Sequence, residues 1–271
     1  MDTVSLSVPA LLPHLGTRHW PTVVDVRRPR EFDADSTMVS GALRCAPDAI
    51  AEFAARAFPG TAIVCYCAHG RDVSRDAAER LRELGLSARV LEGGIEAWRE
   101  AGAPLLKKNP ALGVPSADPS RWVTRERPKI DRIACPWLIR RFIDPRAEFF
   151  YVPTHDVFPV AKAKGAVAFD IPGGAIEHDG ELCSFDTLLR AFGLTESALL
   201  GLAVIVRGAD TAKLELTPQS PGLLAVSLGL SQSYPDDLEM LSAGMVLYDA
   251  LYAWCWHARA EAHGWHPETM R

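Results

Sequence analysis

The sequence predicts an α/β domain followed by a mainly helical α+β domain. With 271 residues, the chain is longer than one small core needs and long enough for two domains of roughly 100 to 150 residues each. Short β-branched runs alternate with helical patterns through the first hundred residues, whereas helical periodicity dominates the rest. A proline-containing segment without periodicity lies between them. We therefore expect domains at residues 1–106 and 121–271, joined by a linker at residues 107–120.

The first domain is predicted to contain a parallel sheet with helices on both faces. Buried strands are expected at residues 22–26, 61–66 and 88–91, where β-branched and apolar residues run together. Helical patterns at residues 49–57 and 74–84 separate these strands, and a further helix follows the last one. Strands that alternate with helices form βαβ units, in which the strands are parallel.

The second domain has a less regular pattern. Helices are predicted at residues 130–142 and 236–260, and short strands at residues 149–152 and 166–171. This pattern indicates helices packed around a small sheet.

Composition and charge exclude several classes of protein. No run approaches the roughly 20 consecutive apolar residues of a membrane helix, and the N-terminal segment lacks the basic start of a secretory signal. The six cysteines are not spaced like a disulfide framework. We therefore expect a cytoplasmic protein with no membrane partner. The formal net charge of -5 argues against a nucleic-acid partner.

The strongest candidate for chemistry is Cys67, which lies between a predicted strand and a predicted helix. Backbone N–H groups converge on such a turn, and the helix dipole adds positive charge. A thiol in this position is expected to lose its proton more readily, and the thiolate is the nucleophile. Gly70 would let the backbone curl around the sulfur. Cys65, two residues earlier, is interpreted as a packing residue rather than a resolving thiol.

Five motifs follow one another in this half: Asp25-Val26-Arg27, Glu31-Phe32, Gly41-Ala42, the loop Tyr66 to Gly70 and the segment Leu91 to Leu105. Together they resemble rhodanese domains over residues 5–106. The resemblance implies that Cys67 takes a sulfane sulfur from a small donor, carries it as a persulfide and passes it to a thiol acceptor. The substrate cradle would consist of Ala68, His69, Gly70, Arg71 and Asp72. No cofactor is expected for this transfer.

The loop also departs from the rhodanese pattern. Rhodanese loops often place an arginine five residues after the cysteine, but here Arg71 is four residues after it and Asp72 occupies the fifth position. A carboxylate at the mouth repels anions, so thiosulfate is expected to be a poor donor. The alternative is a degenerate domain in which Cys67 only packs. Arg27 and Glu31 are interpreted as a structural ion pair.

The second domain opens with a basic segment. Residues 121–146 hold eight Lys or Arg against three Asp or Glu. This segment could attract an oxyanion, a nucleic acid or an acidic partner, or it could be a solvated helix face. Cys135 precedes Pro136, and proline favours the first position of a helix, so Cys135 is a candidate second thiol near a helix N-terminus. Alternatively, Asp131 caps a helix that starts earlier and leaves Cys135 buried and inert.

Candidate metal ligands follow at Glu177, His178 and Cys183. These side-chain types bind divalent metals, although their spacing matches no fixed motif and ordinary turn hydrogen bonds are the alternative. The next helix is expected to be capped by Ser184. If the basic segment and His178 face one cleft, that cleft would bind an oxyanion.

Five stretches of the second half carry a further resemblance, namely residues 127–145, 169–173, 183–189, 206–211 and 248–254. Through them, nearly all of residues 121–256 resemble the C-terminal domain of ChrB-type chromate-resistance proteins. This family is implicated in bacterial chromate resistance and, in some members, in chromate-responsive regulation. Regulatory members have a different N-terminal half, which argues against DNA binding here.

The two resemblances predict a cytoplasmic sulfurtransferase that works through a Cys67 persulfide and is coupled to chromate or oxyanion resistance. The second hypothesis is a non-catalytic redox or chromate sensor, in which the rhodanese fold serves as a binding module. Loss of sulfur transfer on replacing Cys67 would separate the two.

Overall fold

The computed structural model of the chain describes residues 4–57 and 60–261. The elements up to residue 107 are β1 (Ser5–Leu6), α1 (Val8–Leu11), β2 (Thr22–Asp25), α2 (Pro29–Ala34), β3 (Thr37–Val39), β4 (Leu43–Arg44), α3 (Ile50–Arg56), β5 (Ala62–Tyr66), α4 (Asp72–Glu83), β6 (Ser87–Leu91), α5 (Gly94–Glu100) and β7 (Leu105–Lys107). The later elements are β8 (Arg121–Arg125), α6 (Ile130–Leu138), β9 (Glu148–Val152), α7 (Val157–Lys164), β10 (Val167–Ala168), α8 (Ser184–Phe192), α9 (Ser197–Asp210), α10 (Ser220–Ser233) and α11 (Asp237–Ala253).

A five-stranded parallel sheet organises the first half, with strand order β1-β6-β5-β2-β4. Its side chains alternate between two buried clusters. Val23 and Val64 belong to one cluster, whereas their neighbours Val24 and Cys65 belong to the other. Successive residues of a strand face opposite sides of the sheet, so both faces are buried. The predicted α/β fold is confirmed.

In the described part of the second half, six helices (α6 to α11) pack around a parallel sheet of order β10-β8-β9. The predicted helical α+β architecture is confirmed. No helix within the described ranges combines the length and apolar character needed to cross a membrane.

Helix α6 accommodates a proline through a contact with the small sheet. Pro136 has no N–H, so the carbonyl of Arg132, four residues earlier, loses its helical donor. The Tyr151 hydroxyl on β9 donates to this carbonyl at 2.7 Å. The side chain that satisfies the carbonyl therefore also ties α6 to β9.

The segment predicted as a linker lies against both halves. Lys107 pairs with Thr37, the N–H of Lys108 donates to the carbonyl of Ser36 at 2.9 Å, and the amide of Asn109 donates to the carbonyl of Ala191 at 3.3 Å. Farther along the segment, Leu112 and Val114 are buried.

The two halves share one apolar core. A single cluster of buried side chains includes Leu11 and Trp98 from the first half and Phe142 from the second. The N–H of Gly41 donates to the carbonyl of Phe142 at 2.7 Å. Gly16 lies so close to this core that a Cβ atom there would be 2.6 Å from ring carbons of Phe142 and Tyr252.

Candidate functional site

Cys67 follows strand β5 directly, and helix α4 begins five residues later. Its side chain is 5% exposed, and its Sγ lies 3.2 Å from the hydroxyl oxygen of Ser74 in the first turn of α4. The Ser74 hydroxyl donates to the carbonyl of Arg71 at 3.0 Å. Either group can donate in the contact between Cys67 and Ser74, so Ser74 can accept from the thiol or donate to the thiolate. The sequence analysis missed Ser74; a serine in the first turn after the loop was the available signal.

In the backbone of the Cys67 loop, two carbonyl groups are hydrogen-bonded, whereas the N–H groups have no partner among the described residues. The carbonyls of Cys67 and Ala68 accept hydrogen bonds from the N–H groups of Ile95 at 3.0 Å and Glu96 at 3.1 Å. The N–H groups of residues 68–73 donate to no other described residue. Free amides at the start of a helix favour an anion.

Two glycines allow α5 to approach this loop. A Cβ atom on Gly94 would be 2.2 Å from the carbonyl oxygen of Cys67, and one on Gly70 would be 2.5 Å from that of Leu91. Both glycines have positive φ angles, +61° and +65°. Side chains at these positions would therefore clash and strain the backbone.

The remaining predicted cradle residues form the rim of the loop. His69, Arg71 and Asp72 are exposed, whereas Ala68 is half-buried. The charged side chains of Arg71 and Asp72 have no ion-pair partner among the described residues. Both charges are thus available to act on a molecule that approaches Cys67.

A buried polar network fixes the strand ends beside the loop. The Tyr66 hydroxyl donates to Oδ2 of Asp25 at 2.7 Å and accepts from the N–H of Val39 at 3.1 Å. Arg27 is also buried and donates to both carboxylate oxygens of Asp25 at 2.6 to 3.0 Å. Tyr66 and Arg27 both donate to the Asp25 carboxylate. The buried charges of Asp25 and Arg27 are therefore paired and hydrogen-bonded, as buried charges must be.

The predicted Arg27–Glu31 ion pair is wrong. Glu31 is exposed, and Arg27 instead contacts Asp25 and, at 2.7 Å, Asp35. Burial alone would raise the pKa of Asp35. Hydrogen bonds from the backbone and hydroxyl of Thr37 and the charge of Arg27 outweigh this effect and hold the pKa at about 2. The carboxylate of Asp35 therefore contributes to stability in its ionised form.

Cys65 and Cys135 both occupy packing positions. Cys65 is fully buried in the sheet, and burial raises its pKa to about 12. Cys135 lies inside α6, which begins at Ile130, so the predicted position near a helix N-terminus is wrong. Burial and the nearby Asp131 raise the pKa of Cys135 well above its usual range. A protonated, buried thiol is a poor nucleophile.

The basic residues of segment 121–146 do not converge on one cleft. Arg121 pairs with Glu148, and Arg141 pairs with Asp249. Arg125 and Arg132 contact Asp170, at 3.1 and 3.4 Å. These positive charges are thus spread over several parts of the domain. Arg125 and Arg132 pair with Asp170, which lies beside His178.

His178 is surrounded by carboxylates that come from distant parts of the chain. Its Nε2 atom lies 3.1 Å from Oδ2 of Asp210, 3.5 Å from Oδ1 of Asp170 and 3.7 Å from Oδ2 of Asp131. The imidazole is 44% exposed, whereas Asp131 is buried. The ligand atoms of Asp131, Asp170 and His178 all lie within 4.8 Å of one another, in an arrangement that could hold a metal ion.

The other two predicted metal ligands are not in this group. The carboxylate of Glu177 accepts from the N–H of Gly173 at 2.7 Å. Cys183 is buried at the N-cap of α8, where its N–H and Sγ both contact Oδ2 of Asp186. The predicted Ser184 cap is therefore displaced by one residue.

Asp131, Asp170 and Asp210 escaped the sequence analysis because they are far apart in the chain. Each lies at or next to the end of a helix or strand, which is the only local signal. Asp170 also has a φ angle of +50°, which few residues other than glycine tolerate. Such backbone conformations cluster at functional sites.

Comparison with known proteins assigns both halves. Residues 9–101 match the family described as rhodanese-like domain, and residues 122–255 match the family described as ChrB, C-terminal domain. Protein ChrB of Cupriavidus metallidurans is 35% identical over 149 residues, which cover 52% of this chain and 44% of that protein. The chain thus spans less than half the length of this relative.

Solved structures with matching segments include two rhodanese-type proteins. A rhodanese-related protein from Thermoplasma volcanium is 28% identical, and the match covers 38% of this chain and 96% of that one, with a TM-score of 0.33. A rhodanese-like domain protein from Staphylococcus aureus is 24% identical, and the match covers 35% of this chain and 90% of that one, with a TM-score of 0.32. By the two family matches, the chain joins a rhodanese-like domain to a ChrB C-terminal domain.

Proposed function

We propose that the protein is a sulfurtransferase in which Cys67 carries sulfur as a persulfide. The observation that carries this proposal is the loop around Cys67, where the N–H groups of residues 68–73 have no partner among the described residues. A persulfide anion or a sulfur-donor anion needs such donors. The match to the rhodanese-like family over residues 9–101 supports the same chemistry.

The proposed reaction has two balanced steps. The thiolate of Cys67 attacks the outer sulfur of a donor such as thiosulfate; the new S–S bond forms as the old one breaks, and sulfite leaves with the bonding electrons. A thiolate acceptor then attacks the outer sulfur of the Cys67 persulfide, and the Cys67 thiolate leaves. No external oxidant or reductant is consumed. The free amides of residues 68–73 would stabilise the negative charge of the persulfide.

Mass spectrometry after incubation with sulfur donors tests the carrier. We expect one added sulfur atom on the peptide that holds Cys67, and none in Cys67→Ser. Cys65→Ser serves as the matched control, because this buried thiol is expected to take no part. Sulfur found only on Cys135 or Cys183 would contradict the assignment. A Cys67 that takes sulfur from no donor would favour the non-catalytic sensor.

We further propose that this activity contributes to oxyanion resistance in the cytoplasm. The match of residues 122–255 to the ChrB C-terminal domain supports the connection with chromate. Thiols and persulfides can reduce chromate or repair the damage that it causes. Cells that carry the Cys67→Ser chain should be more sensitive to chromate than cells that carry the unaltered chain. Equal sensitivity at equal protein levels would disconnect Cys67 from resistance.

A further inference from the structure

A second site is formed by four side chains that converge from two helices and two loop segments. Asp131 lies in the first turn of α6, Asp170 follows β10, Asp210 ends α9, and His178 lies before α8. We call these residues the Asp–His cluster. It is remote in the chain from the Cys67 loop and has no part in the proposed sulfur transfer.

The carboxylate of Asp131 has an unused oxygen inside this cluster. Its Oδ2 accepts from the N–H of Phe185 at 3.3 Å and lies 3.7 Å from the imidazole of His178. Its Oδ1 is buried and has no hydrogen-bond partner among the described residues. A buried carboxylate oxygen without a hydrogen-bond partner is costly, and a bound cation would satisfy it.

Existing positive charges do not reach this oxygen. Arg125 and Arg132 both contact Oδ2 of Asp170, whereas the Oδ1 of Asp170 accepts from the Ser184 hydroxyl and lies 3.5 Å from His178. The arginines thus contact the Oδ2 atom of Asp170. Among the described residues, only the imidazole of His178 offsets the remaining carboxylate charge of the cluster.

The ligand atoms of Asp131, Asp170 and His178, all within 4.8 Å of one another, are close enough to share one metal ion. Ligand atoms at tetrahedral positions about 2.0 to 2.1 Å from a zinc ion are separated by roughly 3.3 Å. The separations from Nε2 of His178 to the three carboxylates are 3.1, 3.5 and 3.7 Å. Carboxylate oxygens with one imidazole nitrogen suit divalent first-row cations such as Zn²⁺ and Mn²⁺. Because His178 is 44% exposed, an ion has access from solvent.

We propose that Asp131, Asp170 and His178 bind a divalent first-row transition cation, with the carboxylate of Asp210 beside the imidazole. This site replaces the predicted set of Glu177, His178 and Cys183 and shares only the histidine with it. It also changes the expectation for oxyanions: a cleft lined by carboxylates repels chromate or sulfate unless a cation is bound there first.

Calorimetric titration of the chelator-treated full chain with Zn²⁺, and separately with Mn²⁺, tests the proposal. All measurements use a Cys67→Ser background, so that a thiol at the proposed sulfur site cannot bind the metal. We expect one ion per chain and a rise in Tm on binding. His178→Gln and Asp131→Asn should each weaken binding by at least about tenfold.

His155→Gln is the matched control. Its imidazole also contacts a carboxylate, with Nε2 3.5 Å from Asp156, but it is 83% exposed and lacks the other acidic residues. This variant should bind like the parent chain. If Asp131→Asn fails to fold, the exposed His178 still provides the test. No binding to the parent chain, or equal binding by His178→Gln and the parent, would overturn the proposal.

Discussion

Replacing Gly94 by alanine tests whether the position of the Cys67 loop controls sulfur transfer. The added Cβ atom would be 2.2 Å from the carbonyl oxygen of Cys67 and 2.6 Å from that of Ala68, whereas ordinary contact begins near 3.4 Å. Both neighbours are backbone atoms and cannot rotate away. The loop must therefore retreat by about 1 Å, and a misplacement of this size in an active site costs about a hundredfold in rate.

The same substitution also has a cost in stability that can be separated from its effect on the loop. A positive φ angle costs an alanine about 1 to 2 kcal/mol. Displacement weakens the hydrogen bonds from Ile95 and Glu96 to the loop carbonyls, each contributing about 0.5 to 1.5 kcal/mol. We expect Gly94→Ala to lower the free energy of unfolding by about 2 to 5 kcal/mol in all.

Gly102→Ala is the matched control for this prediction. Gly102 has a φ angle of +65°, close to the +61° of Gly94, but no atom lies within 4 Å of its added Cβ. It should lose only about 1 to 2 kcal/mol of stability and keep its rate of sulfur transfer. Urea unfolding and the rate of thiocyanate formation from thiosulfate and cyanide measure the two effects. Equal rates for the two variants would refute the reasoning.

Three further predictions concern the same half of the chain. Tyr66→Phe should lower the free energy of unfolding in urea by about 1 to 3 kcal/mol, because Val39 and Asp25 each lose a buried hydrogen bond; an unchanged midpoint would contradict this. The pKa of Asp35 is about 2 in the folded chain against 3.8 ordinarily, so its contribution to stability is complete above pH 4 and declines as the pH falls toward 2. Asp35→Asn should reduce the loss in free energy of unfolding between pH 4 and pH 2. The same loss in the variant and the unaltered chain would exclude Asp35 as its cause. Asp72→Asn should raise the rate with thiosulfate roughly fivefold, since a nearby carboxylate costs about 1 kcal/mol against a bound anion, and a lower rate would remove this explanation.

The sequence was informative where structure is local. The strand that ends at Tyr66, the loop with Cys67 and the following helix are adjacent in the chain, so periodicity and turn residues locate them together. The buried interpretation of Cys65 has the same origin, because a thiol within a continuous apolar strand faces a covered side of the sheet.

The Asp–His cluster could not be predicted in the same way. Glu177 accepts from the N–H of Gly173 and Cys183 contacts the carboxylate of Asp186, whereas the carboxylates beside His178 come from residues 131, 170 and 210. These carboxylates meet through the packing of α6, α9 and the segment after β10. The error about Arg27 has a related cause: the predicted partner, Glu31, is near it in sequence, but Arg27 precedes helix α2 and lies buried against Asp25.

The shared core explains why the two halves must be studied in one chain. Gly16 packs directly against Phe142 and Tyr252, and the N–H of Gly41 is bonded to the carbonyl of Phe142. Trp98 of α5, the helix that holds the Cys67 loop through Ile95, belongs to the same buried cluster as Phe142. Cutting the chain between the halves would expose these apolar surfaces to water and remove support from α5. Loss of sulfur transfer in an isolated first half would therefore reflect lost packing, and only substitutions in the full chain can assign chemistry to Cys67.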